Sequence, residues 1–322
     1  MIKKRSGLHA LIFSPSSGQR VSLLRKISEW RQQLAILIAR RRDNSSYLGS
    51  FLRRQLAEYD QVSRKFGAGP LEGCRAFEVG CGQRPYRLTN LLAHGVDVRG
   101  VDMDTVLIQL SLRSAYQCWR LNGAERTVKT MLRHFLVDRI ENQRLKEVLS
   151  ITDDRFFAKL EARITQGNAA DATVWPRGGL DFVYSEDVFE HIAPDDVPRV
   201  CQLIAERLTD NGVAVIRPMI FTGVQGGHNV EWYDASEGVE RRCPPWDHLR
   251  ANRYPANTYL NKLWLSDYRR VFGEHFEIAE EAVENPTAGR WAITPELSVE
   301  LAAIPIDELF SNRVRFILRK KR

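Results

Sequence analysis

Hydrophobic and polar positions divide the chain into two regimes. In the first, Leu23, Ile27, Trp30, Leu34 and Leu37 recur at alternating steps of four and three, the spacing of one helical stripe. Arg25, Lys26, Arg31 and the run from Arg40 to Arg42 fall on its other faces. Such a helix would lie on a membrane surface or pack its stripe onto the main domain or a second subunit. Leu48, Phe51, Leu52, Leu56 and Tyr59 predict a second helix, which the Gly67-Ala-Gly-Pro70 segment breaks.

From Arg75 the pattern alternates. Ala76 to Val79, Val96 to Val101, Ala162 to Thr165, Leu180 to Tyr184 and Val213 to Ile216 are apolar runs of strand length. A helix is expected through Leu88 to His94, closed by Gly95, and another from Pro194 to Leu208. Strand and helix alternating in this way imply a parallel sheet covered on both faces. Further on, Leu263 to Val271 reads as a helix, and Phe276 to Val283 and Val314 to Leu318 as two more strands. Residues 113–161 exceed the minimal repeat and, charged and rich in helix formers, read as a helical insertion beside the sheet. The expected organisation is a basic helical extension over 1–66 and a main domain over 67–322.

Charge separates the same two parts. The whole chain of 322 residues carries a formal charge of +7, yet residues 1–66 alone hold 14 basic against 4 acidic side chains. Residues 67–318 are net acidic, with 29 basic against 36 acidic. Basic ends seek anions, so contact with an anionic membrane is one expectation and a solvated helix face the other. The acidic body argues against nucleic acid as the main partner. The apolar run from Leu34 to Ala39 is far short of the ~20 residues that span a bilayer. Five cysteines without a CxxC pair argue against a disulfide framework or structural zinc and favour a reducing cytoplasm.

Candidate chemistry lies at the strand ends. Gly80-Cys-Gly82 directly follows the first strand, where glycines let backbone approach a ligand and the next helix offers unpaired N–H groups. Asp102 ends the second strand, twenty residues after Gly82, where a carboxylate can accept ribose hydroxyls. A dinucleotide fingerprint would need a small residue at Pro85, and this weighs against a nicotinamide enzyme.

Taken in order, Glu78-Val-Gly-Cys-Gly82, Gly100-Val-Asp102, Gly167-Asn-Ala169 and the stretch from Asp181 to Ile192 resemble the successive motifs of class I S-adenosylmethionine-dependent methyltransferases of the type 11-like kind. The resemblance covers roughly 70–220. It implies an α/β, doubly wound, Rossmann-like sheet, mostly parallel with an antiparallel C-terminal strand, and S-adenosylmethionine as cofactor. It further implies that Glu78 helps hold the methionine amino group, that Gly80 and Gly82 make room for the methionine part, and that Asp102 binds the ribose. The adenine position falls on Asn168 and Ala169, with an asparagine where the family carries an aspartate and Asp171 as a nearby substitute. Ser185 and Glu186 fall where the methionine end and the acceptor would meet. The family's third glycine is replaced by Arg84.

For the acceptor, an alcohol must lose a proton, so a base of near-neutral pKa is wanted. His191 is the first candidate, with capping of the helix near Pro194 as its other role; His228 and His248 are alternatives. They sit with Trp232, Tyr233, Trp246, Tyr254 and Tyr259 in residues 222–259, a segment poor in strand or helix signals and so either a substrate lid or a cap that buries its own aromatics. Asp187 and Glu190 alone do not make a metal site, and no metal is expected. A fainter similarity of 226–262 to bacterial enzymes of surface-polysaccharide synthesis points to a sugar or glycan hydroxyl, with a cytoplasmic enzyme working at the inner membrane face. Two alternatives stand beside this: an RNA methyltransferase, disfavoured by Ser185-Glu-Asp-Val188 where an NPPY-type tetrapeptide would stand, and a non-catalytic scaffold binding membrane or partner through the N-terminal helices.

Overall fold

A computed structural model describes residues 45–321 apart from Leu107, Leu110 and Ser111. The helix expected over 23–37, and with it most of the basic extension, lies outside the described residues. Ser45–Phe66 forms helix α1, which belongs to the same compact unit as everything after it.

Strand β1 (Arg75–Val79) leads through the glycine turn to α2 (Tyr86–Ala93) and then β2 (Asp97–Asp102). The stretch before the next strand is helical: α3 (Leu112–Arg133, interrupted at Gly123), a π-turn over His134–Asp138, α4 (Arg139–Val148) and α5 (Phe156–Glu161). There follow β3 (Ile164–Gln166), β4 (Leu180–Glu186), α6 (Val197–Arg207) and β5 (Leu208–Arg217). After the irregular segment come α7 (Leu265–His275), β6 (Phe276–Val283), the short helices α8 (Pro295–Glu300) and α9 (Ile306–Leu309), and β7 (Val314–Lys320).

The seven strands are ordered β3-β2-β1-β4-β5-β7-β6. Pairings among β1 to β5 are parallel, and β7 runs antiparallel between β5 and β6, pairing Ala214 with Leu318 and Ile278 with Leu318. This is the doubly wound arrangement expected from the sequence. Strands β1 and β4 are buried along most of their length because both faces are covered, and alternate side chains serve opposite cores. Phe77 and Val183 join Val200, Ile204, Tyr268 and Phe272 beneath α6 and α7. Ala76, Phe182 and Tyr184 join Tyr59, Val62, Leu88 and Leu91 beneath α1 and α2.

Two consequences fix the site. The chain winds outward from β1 in one direction and from β4 in the other, so the crevice outside the carboxyl ends of β1 and β4 is the topological switch point. The segment after β5 also has a core of its own. There Val224, Trp232, Cys243 and Trp246 pack on Leu297, Leu301, Leu309 and Phe310, Trp232 stacks on Trp291, and the Arg241 guanidinium lies over Trp232.

Candidate functional site

At the switch point, β1 ends in a turn whose backbone only glycine adopts easily. Gly80 has φ +77° and Gly82 φ +68°. A side chain on Gly80 would also strike the methyls of Val188 at 2.4 Å, whereas one on Gly82 would meet nothing within 4 Å. The turn is therefore closed beneath and open above. Asp102, at the tip of β2, braces it. One carboxylate oxygen accepts from the Gly82 amide at 2.7 Å and the other from the Asp104 amide at 2.8 Å.

Glu78 lies behind the turn, 1% exposed, and accepts from the Tyr184 hydroxyl at 3.1 Å. Burial pushes its carboxyl up to about 8, against the pull of the Arg87 guanidinium. At neutral pH it is mostly protonated, and an arriving cation would ionise it.

Ser185 and Glu186 are held by the internal bonds they make. The Ser185 hydroxyl, fully buried, donates to the Val79 carbonyl at 2.8 Å and ties β4 to β1. Glu186 is the centre of a buried charge network. One oxygen accepts from the Tyr59 hydroxyl and from Arg217 at 3.0 Å; the other faces Arg87 at 2.8 Å and Arg313 at 3.1 Å. Burial alone would raise its pKa, but the three guanidiniums outweigh it and hold the carboxyl below its ordinary value. Both residues build the wall of the site rather than its floor. Tyr59, Arg87, Arg217 and Arg313 were missed as site residues because they come from four separate elements, and no local pattern marks them.

Beyond β3, Asn168 and Asp171 each close a local turn. The Asn168 side-chain carbonyl accepts from the Ala170 amide at 2.9 Å and its amide group donates to Asp196 at 3.3 Å; Asp171 accepts from the Thr173 amide at 2.9 Å. The Ala169 carbonyl accepts from the Trp175 indole at 2.8 Å, so this loop is held at the rim of the sheet. The insertion is tied to the glycine turn from the other side: Arg84 pairs with Glu141 at 3.2 Å and Asp138 at 3.6 Å, and the Tyr86 hydroxyl donates to Glu141.

The histidines divide. After β4 the backbone reverses at Asp187, with φ +57°, into a 3-10 turn over Phe189–His191. The Asn261 side-chain amide clamps this turn by donating to the Phe189 carbonyl at 2.7 Å and the Ile192 carbonyl at 3.0 Å. His191 caps no helix; its Nδ1 is bonded to the Tyr259 carbonyl at 2.8 Å. The His228 ring stands edge-on to it with centroids 5.0 Å apart. His228 Nε2 lies 3.7 Å from an oxygen of Glu190, which is 3% exposed. Neither Glu190 oxygen, nor His228 Nε2, makes a hydrogen bond of normal geometry. Burial and the charge of Asp187 push Glu190 up to about 8, while burial and the neighbouring imidazoles bring His228 down to about 4. His248 is set apart: its Nε2 bonds the Phe221 carbonyl at 2.8 Å, its ring packs under Gly227, and burial lowers it to about 4. It positions the segment and is poorly placed as a base. Tyr233 and Tyr259 are exposed beside the His191–His228 pair.

No family model matches the chain, and no curated protein does. Among solved structures it is similar to an S-adenosylmethionine-dependent methyltransferase from Clostridium acetobutylicum, at 9% identity and TM-score 0.43, over 92% of this chain and 100% of that one. It is also similar to magnesium protoporphyrin IX methyltransferase from Synechocystis with bound SAH, at 12% and 0.40 over 95% and 90%. A third is an S-adenosylmethionine-dependent methyltransferase from Mesorhizobium loti, at 15% and 0.40 over 78% and 92%. Likenesses of this strength carry no functional argument; the chain's own geometry has to.

Proposed function

We propose that this protein is an S-adenosylmethionine-dependent methyltransferase acting on a hydroxyl of a small molecule, a sugar or glycan unit in the first instance. The observation that carries the reading is the placement of Glu78 and Asp102 on either side of the Gly80–Gly82 turn at the switch point. The residues fit the donor: Gly82 opens on free space, the Asp102 carboxylate at the tip of β2 is the kind of group that accepts ribose hydroxyls, and buried Glu78 awaits a cation such as the ammonium of the methionine part. Asn168 or Asp171 would meet the adenine. The bound sulfonium supplies an activated methyl group. The chain's share is to hold an acceptor oxygen in line with it, since positioning alone is worth ~7–11 kcal/mol.

In this reading Glu190, His191 and His228 would orient that hydroxyl and take its proton, with Tyr233 and Tyr259 offering ring faces to a sugar. The basic residues of 1–66 suit an acceptor carried on an anionic membrane, and no helix among the described residues is long and apolar enough to cross one. Calorimetry with S-adenosylhomocysteine tests the donor site, and tritium transfer from labelled S-adenosylmethionine into a glycan fraction tests the acceptor. Absence of binding to donor and product overturns the activity; transfer into RNA instead of glycan overturns the acceptor class.

A further inference from the structure

We propose that Glu190, His191 and His228 form a binding site for one divalent transition-metal ion of the zinc, cobalt or manganese kind, which would hold the acceptor oxygen. One ligand atom from each of the three lies within 4.8 Å of the others. Ions of this kind bind imidazole and carboxylate at ~2.0–2.2 Å, which sets neighbouring ligand atoms ~3–3.5 Å apart. The 3.7 Å between Glu190 and His228 Nε2 is slightly longer than that spacing and would have to shorten by a few tenths of an ångström around an ion.

The independent observation is that Glu190 and His228 are buried with incomplete hydrogen bonding. Neither oxygen of Glu190 nor Nε2 of His228 makes a hydrogen bond of normal geometry, the Met219 amide being a long-range neighbour of the carboxylate, though the Glu190 side chain is 4% exposed and that of His228 9%. Buried polar atoms are almost always satisfied, so a carboxylate and an imidazole nitrogen lying side by side without a well-formed bond leave room for a bound ion. The surroundings are also those of a ligand set. The Tyr259 carbonyl takes the Nδ1 proton of His191 and leaves its lone pair on Nε2, the way an outer carbonyl usually fixes the tautomer of a metal-bound histidine. Two imidazoles and one carboxylate favour borderline transition ions over magnesium or calcium and leave coordination positions open. Asp187, whose charge bears on Glu190, and the Arg313 that pairs with it at 3.1 Å flank the cluster.

The use of the ion rests on the methyltransferase reading; its binding does not. An open coordination position beside the donor crevice would take the acceptor hydroxyl, or two neighbouring hydroxyls of a sugar, and lower the pKa of the bound oxygen. The test is titration of the full-length protein with Co2+, followed by visible absorption and equilibrium dialysis. The expected result is one Co2+ per chain, displaced by Zn2+, with affinity reduced at least tenfold in Glu190→Gln and in His228→Asn. Since either variant could fold poorly, pulsed EPR of the unmodified protein loaded with one Cu2+ provides a second readout, with couplings expected from two imidazoles. No saturable Co2+ binding, undiminished binding in both variants, or a Cu2+ spectrum without imidazole couplings would each overturn the proposal. S-adenosylhomocysteine calorimetry on the same sample reports the donor site separately, so the two readings fail independently.

Discussion

If Glu78 receives the donor's ammonium, binding must be linked to a proton. The empty protein holds this carboxyl at about 8 through burial, so at pH 7 about nine molecules in ten carry it protonated. Only the carboxylate attracts the ammonium. Binding at pH 7 should therefore release about 0.9 of a proton, and affinity should rise with pH until it levels off above about 8. Between pH 6 and pH 9 the ionised fraction grows by about two orders of magnitude, equivalent to about 3 kcal/mol. The assay is calorimetry with S-adenosylhomocysteine at several pH values, each in two buffers of different ionisation enthalpy. Glu78→Gln is the control. It keeps the shape and a hydrogen bond to Tyr184 but has no proton to lose, so whatever pH dependence remains belongs to the ligand's own amine. Identical slopes in the two proteins, or no proton release from the wild type at pH 7, would refute the placement of the ammonium at Glu78. The sign of the stability change is opposite: the folded pKa lies above the unfolded one, so the empty protein should lose about 1.4 kcal/mol for each pH unit between about 4.5 and about 8.

Other outcomes follow from neighbouring residues. Gly80→Ala should lower stability by about 2–4 kcal/mol through its positive φ and the collision with Val188, and pairing it with Val188→Ala should restore part of this in a denaturant melt. Asp102→Asn has one acceptor oxygen for the two amides of Gly82 and Asp104, so it should cost about 1–3 kcal/mol in a denaturant melt, while donor affinity falls about tenfold or more in calorimetry for want of charge-assisted bonds. Tyr59→Phe removes one donor from buried Glu186 and should cost about 1–3 kcal/mol by urea unfolding; a change within error would show that the three arginines suffice.

The sheet was legible because its signal is local. Each central strand is an apolar run bounded by turn residues, and Gly95 and Pro194 punctuate the helices where the structure ends or begins them within a few residues. The positions of Gly80, Gly82 and Asp102 were legible for the same reason, as strand ends a fixed distance apart. What could not be read is convergence. His228 reaches Glu190 and His191 only through the path of the chain after β5, so a sequence reading of Asp187 and Glu190 alone could not foresee this meeting of side chains. Glu186 looked like a ligand-facing carboxylate because strand alternation does not reveal that three arginines and a tyrosine close around it. The aromatics of 222–259 read as either a substrate lid or a self-burying cap, and the rings divide: Trp232 and Trp246 are buried against 288–310, and Tyr233, Tyr254 and Tyr259 stay exposed. Composition shows that rings are present but not which way they face.

The position of β7 bears on how the molecule is made. It is the last strand along the chain, yet it lies inside the sheet, with β5 on one side and β6 on the other. While the polypeptide leaves the ribosome, β6 has no place to dock and the outer edge of β5 stays unsatisfied until residues beyond Val314 emerge. Arg313, adjoining that strand, is also the last guanidinium to reach Glu186. Nascent chains stalled before this point should be open to proteases and should draw chaperones, and those released after it should close in one cooperative step.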